Sequence, residues 1–155
     1  MSFDDLSLII ISAEQISFTN VVVKYGDSSY VPLEDIVAIA VKAKEIHATK
    51  PTITPKTMKK LTKLPNFFKL DDFNLRNISE VFNIDVFYDY MKKNPHTKFF
   101  LNFDPQISHA FKNRLKTIVD EILETKQFNY KPHVINFTGL DFITYAKLYR
   151  IFCSH

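Results

Sequence analysis

The sequence contains very little glycine and cysteine, and both shortages exclude classes of protein. Only two of the 155 residues are glycine, Gly26 and Gly139. Loops that cradle a phosphate need several glycines close together, because the backbone must approach the ligand closely. The sequence therefore excludes P-loop and dinucleotide-binding motifs. The single cysteine, Cys153, cannot form a disulfide within the chain, which favours a reducing compartment.

Long apolar runs and a secretory leader are also missing. The first apolar run follows Asp4 and Asp5, whereas a signal peptide carries positive charge before its apolar segment. No apolar stretch approaches the roughly 20 residues that cross a bilayer. We therefore expect a cytoplasmic protein that does not enter a membrane. The composition is 46% apolar and 24% charged, which is typical of a folded protein, and we assign residues 1–155 to one globular domain.

Positive charge is concentrated in one part of the chain. Residues 46–69 carry six lysines and no acidic residue, although the net charge of the whole chain is only +3. We call these six side chains the basic stretch: Lys50, Lys56, Lys59, Lys60, Lys63 and Lys69. Phe67 and Phe68 lie among them, and rings beside lysines can stack on bases while the ammonium groups contact phosphates. The stretch predicts polyanion binding, and the alternative is a solvated helix face with core phenylalanines.

The first thirty residues favour strands. Leu6–Ile11 and Gln15–Tyr25 are rich in β-branched residues, which pack well in sheets. The glycine, aspartate and serines of Tyr25–Tyr30 form a turn signal. Together these patterns predict a β-hairpin over Ile16–Val31.

The middle of the chain predicts several short helices. Pro32 and the acidic residues after it suit a helix start, so we expect a helix through Ile36–Val41, a run that also fits a buried strand. Further helices are predicted over Pro55–Leu64 and Asp71–Phe82, while Ile84–Lys93 is ambiguous. The spacing between Leu75 and Met91 resembles a helix-turn-helix, and the alternative is an ordinary helical hairpin.

The last third of the chain is more regular. Lys98–Phe103 and His133–Phe137 predict strands, and Ile107–Thr125 predicts a long amphipathic helix. A closing helix is expected over Leu140–Phe152. This β-α-β-α unit and the hairpin together predict an α/β or α+β domain with a mixed sheet. The sequence shows no internal repeat.

The segment 98–152 resembles a STAS domain. The resemblance rests on Phe99–Ser108, the helix that follows it, and Val134–Ile143. It implies a regulatory module that presents a phosphorylatable serine to a partner kinase at the start of the next helix. Thr144 is the nearest hydroxyl in this chain, and no serine stands there.

A shorter segment, 23–36, resembles the N-terminal β-domain of the CRISPR integrase family. The resemblance rests on Val31–Ile36, which follows the predicted hairpin. That family carries its metal-binding residues in a large helical domain, and this chain has no room for one after the segment.

The candidates for chemistry near the carboxyl ends of the predicted strands are few. Asp104, His109 and Asp141 follow or flank the strands, where α/β proteins form ligand sites, and a His–carboxylate pair supports acid–base catalysis. Asp104 and its neighbours equally suit a helix cap. The five histidines lack the spacing of a zinc site, so we expect no metal and no cofactor.

These signals favour a small regulatory module that binds a protein partner, as a homo- or hetero-oligomer, without catalytic activity. Its candidate contact residues are Asp104, His109, Asp141 and Thr144. The first alternative is nucleic-acid binding through the basic stretch. The second alternative is a hydrolase that uses Asp104, His109 and Asp141, and it requires a pocket at the ends of the last two predicted strands.

Overall fold

A five-stranded sheet is the centre of the computed structural model, which describes residues 1–19 and 21–155. The five strands are β1 (Gln15–Phe18), β2 (Glu45–Thr49), β3 (Asp72–Ile78), β4 (Lys98–Phe103) and β5 (Val134–Asn136). The helices of the described residues are α1 (Phe3–Ile10), α2 (Leu33–Ile39), α3 (Thr57–Leu61), α4 (Pro65–Phe68), α5 (Ile84–Lys93), α6 (His109–Glu124) and α7 (Phe142–Cys153).

The strands lie in chain order, and every neighbouring pair is parallel. The α/β class and the C-terminal β-α-β-α unit are therefore confirmed. The expected mixed sheet is wrong, because a helical or looped crossover returns the chain to the same end of the sheet before each new strand, and this makes each pair parallel.

A structural unit of one strand and a helical crossover recurs along the chain. The sequence shows no matching repeat, so this architecture was not predicted. From the start of β2 at residue 45 to the start of β3 at residue 72 is 27 residues, and 26 more lead to residue 98. The backbone repeats a contact at these starts: the carbonyl oxygen of Glu14 accepts from Lys44, and that of Lys44 accepts from Asp71. Units of one strand and one helix that contact only their neighbours build a solenoid.

Apart from α7, which covers the β5 end of the other face, the helices of the described residues pack against one face of the sheet. Buried and half-exposed side chains alternate along β2, β3 and β4, so one face is apolar and the other is not. Right-handed crossovers that always advance in the same direction place their helices on one face. The helical layer covers that face, and we call the other face the open face. An all-parallel sheet is usually covered on both sides, which makes this the unusual feature of the fold.

The N-terminal strand expected at Leu6–Ile11 is wrong, because this segment belongs to α1. Ser2 caps the helix by accepting a hydrogen bond from the Asp5 backbone, and the acids of the first turn suit the helix dipole. Leu6 and Ile10, four residues apart, are buried on one side. Capping and helical periodicity outweigh the β preference of the isoleucines here.

The hairpin expected over Ile16–Val31 is also wrong. β1 pairs in parallel with β2, which buries Ile16 in the helical layer's core. What remains of the hairpin is one antiparallel bridge between Lys24 and Tyr30, closed by a turn in which Asp27 accepts from the Ser29 backbone. The predicted turn forms between Lys24 and Tyr30, but β1 pairs with β2 and not with the segment that follows the turn.

The helix expected over Asp71–Phe82 is wrong, because residues 72–78 form β3. Phe73 and Leu75 are both fully buried at a spacing of two, which is the period of a strand. The register shifts after Leu75, where Asn77 adopts a positive φ of 55°. With a strand in this position, neither the helix-turn-helix nor the helical hairpin exists.

The other helix predictions fare better. The run Ile36–Val41 is helical up to Ile39, so the helix alternative is confirmed. The helix expected over Pro55–Leu64 is shorter and spans Thr57–Leu61 as α3, with α4 after it. The ambiguous segment Ile84–Lys93 forms α5, capped by the Asn83 side chain, which accepts from the Val86 backbone.

Candidate functional site

The open face presents a block of polar side chains that no helix covers except at the β5 end. Its residues sit at alternate strand positions: Gln15, Ser17, Glu45, His47, Thr49, Asp72, Asn74, Arg76, Lys98, Phe100 and Asn102. Strand register aligns Ser17, His47, Asn74 and Phe100 in one row across four strands. With the usual strand spacing, the Cα atoms of the block span roughly 14 Å across the strands and 13 Å along them.

Contacts between neighbouring strands hold the larger side chains in place. His47 Nε2 lies 3.0 Å from Asp72 Oδ1, and both side chains remain partly exposed. The Arg76 guanidinium lies 5.1 Å from the centre of the Phe100 ring, within the range of a cation–π contact. These pairs leave an ordered surface with an acid, an imidazole, a guanidinium and a ring.

Asn74 occupies the middle of the open face and carries an unused acceptor. Its Oδ1 is shielded from solvent by its neighbours and accepts no hydrogen bond from the described residues. A sheltered acceptor without a donor is costly. Because its neighbours cover this oxygen, a bound molecule could reach it only if those side chains moved.

The helix α7 borders the open face at the β5 end. The Phe152 ring lies 6.4 Å from the Phe100 ring, and Lys98 Nζ lies 5.1 Å from the Phe152 ring centre and 3.5 Å from its carbonyl oxygen. Val134, which pairs with Phe100, is completely buried beneath this helix. The open face therefore extends from β1 to β4 and ends at α7.

Ser17 on β1 pairs with His47 on β2, and Asp72 on β3 contacts His47 diagonally, from the position that pairs with Glu45. The three residue types invite comparison with a catalytic triad. Within the described residues no hydrogen bond joins Ser17 to His47. The backbone N–H groups around them belong to the sheet ladder, so they are not directed at a reacting oxygen as in an oxyanion hole. This row supports binding better than nucleophilic attack.

The residues predicted as contact or catalytic groups do not come together. Asp104 Oδ1 accepts from the Gln106 backbone at 2.7 Å, and it lines a cleft of about 180 Å³ beside the ends of β3 and β4. His109 begins α6 and is exposed. Asp141 caps α7 by accepting from the backbone and hydroxyl of Thr144 at 2.8 and 2.5 Å, which lowers the pKa of Asp141. Asp141 is therefore a helix cap, whereas Asp104 closes a turn before α6, whose cap is Ser108.

A larger cleft of about 470 Å³ lies between the starts of α5 and α6. Its polar groups already bind one another: Ser108 Oγ donates to Glu80 at 2.8 Å, and Arg114 Nε donates to Asp85 at 2.6 Å. The two acids occupy the positive ends of the helices, where an anionic ligand would otherwise bind. This cleft is less suited to a ligand than the open face.

The basic stretch lies along α3, α4 and the loops beside them. All six lysines are exposed. Lys60 Nζ lies 4.0 Å from Oε1 of the buried Glu34, the one acid within ion-pair distance of these lysines among the described residues. Of the two rings predicted to stack on bases, Phe67 is fully buried and Phe68 is 46% exposed. The stretch is a cationic surface with one accessible ring.

Sequence reasoning missed the open face altogether. It predicted no strand over 45–49 and a helix over 72–78. The polar residues Glu45, His47 and Thr49 were therefore not assigned to the face of a sheet. The signal was present, because apolar residues at 46 and 48 alternate with these polar ones. The alternation covers only five residues, which is too short to distinguish a strand from a loop by pattern alone.

Comparisons of the chain with protein-family models, with curated proteins and with solved structures find no match, so its geometry carries the functional argument. Within residues 1–19 and 21–155, no helix has the length and apolar character that a membrane crossing requires. In the same residues, no three His, Cys, Asp or Glu side chains are grouped in a way that could hold a metal ion.

Proposed function

We propose that this protein is a non-catalytic, regulatory module that binds a polypeptide partner on its open face. The observation that supports the proposal is the uncovered side of an all-parallel sheet, a surface that such sheets normally bury under helices. Solenoids of strand–helix units use surfaces of this kind to bind other proteins. Arg76 and Phe100 belong to the residue types that dominate the binding energy of protein interfaces.

The composition of the open face also favours a polypeptide over a small molecule. The face is broad and shallow, whereas small ligands are bound in concave pockets that enclose most of their surface. His47, Asp72 and Asn74 offer both donors and acceptors to a partner's backbone and side chains. The resemblance to STAS domains, and with it a switch at Thr144, stays a prediction.

Affinity capture with matched variants tests this proposal. Asn74→Arg places a long cation in the middle of the open face, and Asn113→Arg makes the same change on the exposed surface of α6. We expect the immobilised wild-type chain and Asn113→Arg to retain the same proteins from a cell extract, and Asn74→Arg to lose them at least tenfold. Equal retention by all three folded chains would contradict the proposal.

Polyanion binding through the basic stretch is the second candidate, and the exposure of all six lysines favours it. Lys59 and Lys63 are the informative residues, because Lys60 also lies beside the buried Glu34. If several phosphates are bound, affinity for a mixed-sequence oligonucleotide falls by orders of magnitude between about 50 and 200 mM salt. We then expect Lys59→Glu with Lys63→Glu to abolish binding, measured by fluorescence titration. A salt-independent affinity, or no binding at 50 mM, would exclude this function.

A further inference from the structure

One side of α7 is apolar and exposed. Phe142, Ala146, Tyr149 and Cys153 follow one another at intervals of four, three and four residues, so they form one stripe along the helix. Phe142 is 81% exposed and Tyr149 is 46% exposed. A groove of about 480 Å³ follows this stripe. A continuous apolar surface of this kind marks a contact site, whereas scattered apolar residues are ordinary.

A different side of α7 attaches the helix to the rest of the protein. Leu148 is completely buried, and Tyr145 and Phe152 pack against the core. These residues lie about a quarter turn around the helix from the stripe, since each residue advances about 100°. Tyr149 of the stripe stacks on Tyr145 and Phe152, whereas Phe142 is 81% exposed. Phe142 is therefore the position of the stripe that can be changed with the fold intact.

We propose that the stripe binds the same stripe of a second copy of this chain, with the two α7 helices antiparallel. The 4-3-4 spacing is the seam of a two-helix coiled coil. About a two-fold axis between residues 147 and 148, Phe142 faces Cys153 of the second copy, and Tyr149 faces its Ala146. Each exposed ring thus meets a small side chain, and large-against-small pairing lets two helices pack closely. This size complementarity of the stripe with itself is the argument for a second copy as the occupant.

The interface uses the same patch on both copies, so it closes as a dimer and does not extend into a filament. The seam has only four positions on each copy, so we expect a weak dimer with a dissociation constant in the micromolar range.

Molar mass as a function of concentration tests the dimer. We expect the mass to rise from 18.1 kDa towards twice that value as the concentration passes through the micromolar range. Phe142→Glu should raise the dissociation constant at least tenfold. Leu8→Glu is the matched control, because Leu8 is 80% exposed on α1 and lies outside the stripe. A chain that stays monomeric to millimolar concentration, or a dimer that Phe142→Glu does not weaken, would overturn the proposal.

Thiol cross-linking tests the antiparallel register. Phe142→Cys places a new thiol opposite Cys153 of the second copy, and oxidised glutathione then links the two copies by disulfide exchange. We expect linked dimers to form at least tenfold faster than with Leu8→Cys or with the wild-type chain, whose two Cys153 thiols lie at opposite ends of the seam. Equal rates in all three chains, or fastest linkage in the wild type, would contradict the antiparallel pairing.

Discussion

Phe67→Ala is expected to destabilise the protein by about 3–5 kcal/mol, the usual cost of removing a fully buried phenylalanine. Phe67 has no exposed surface. Its ring lies 4.9 Å from that of Phe73 in an edge contact and 5.3 Å from that of Tyr90 in a stacked contact. Truncation leaves a cavity among rings that the sheet and α5 hold in place, so the site cannot collapse to fill it.

Phe68→Ala is the matched control, because the next residue on the same short helix is 46% exposed. We expect its effect on the free energy of unfolding to stay within about 0.5 kcal/mol. Urea denaturation of the wild type and both variants measures the difference. A similarly small loss of unfolding free energy in both variants would show that Phe67 does not belong to the core. Both rings would then again be candidates for stacking on bases.

Stability should fall as the pH falls from 7 towards 4, and His133 should cause much of the fall. The His133 ring is completely buried between Tyr88 and Tyr130, and among residues 1–19 and 21–155 neither ring nitrogen has a hydrogen-bond partner. Burial, aided by the positive charge of Lys92, lowers the pKa of His133 to about 3. In the unfolded chain its pKa is about 6.5. Between these two values the unfolded state binds the proton and the folded state does not.

The sign of the effect follows from that difference. The contribution of His133 is fully present above about pH 6.5, and it is lost by up to about 1.4 kcal/mol per pH unit as the pH falls towards the folded pKa. His133→Leu replaces the ring with an apolar side chain of similar volume and should flatten the pH dependence of the free energy of unfolding. His109→Gln, at an exposed position, should leave it unchanged. Parallel curves for the wild type and His133→Leu would contradict this account.

The C-terminal third could be predicted because each element there carries a strong periodic signal. The strand Lys98–Phe103 has the bounds expected from its alternation, and the long helix begins after the Ser108 cap with Leu115, Ile118 and Ile122 buried in register. The helical periodicity extends over four turns, which leaves little room for another interpretation. The parallel pairing of β4 and β5 followed from the crossover alone.

The strand β3 could not be predicted because its sequence satisfies two periods at once. Two acids at the start and apolar residues at 75, 78 and 82 match a helix, while Phe73 and Leu75 match a strand. Its neighbours decide the outcome: β2 and β4 supply parallel partners on both sides, and the bulge around Asn77 returns Ile78 to the buried face. Local patterns do not contain that information.

The open face depends on tertiary structure in the same way. The polar residues of β1 to β4 lie 25 to 30 positions apart in the sequence and become one surface only through the register of the strands. Asp104, His109 and Asp141 stood out in the sequence because they flank predicted elements, but Asp141 caps α7 and Asp104 closes a turn. A functional surface made of residues from several units has no local signature.

Solvent access to the two faces of β2 tests the central claim most directly. In a Cys153→Ser background, Thr49→Cys places a thiol on the open face and Ala48→Cys places one on the buried face, one residue away. We expect a thiol reagent to label the folded Thr49→Cys chain at least about 100-fold faster than the folded Ala48→Cys chain, which reacts only when it unfolds. Equally slow labelling of both positions would show that both faces of the sheet are covered, and the open face would not exist.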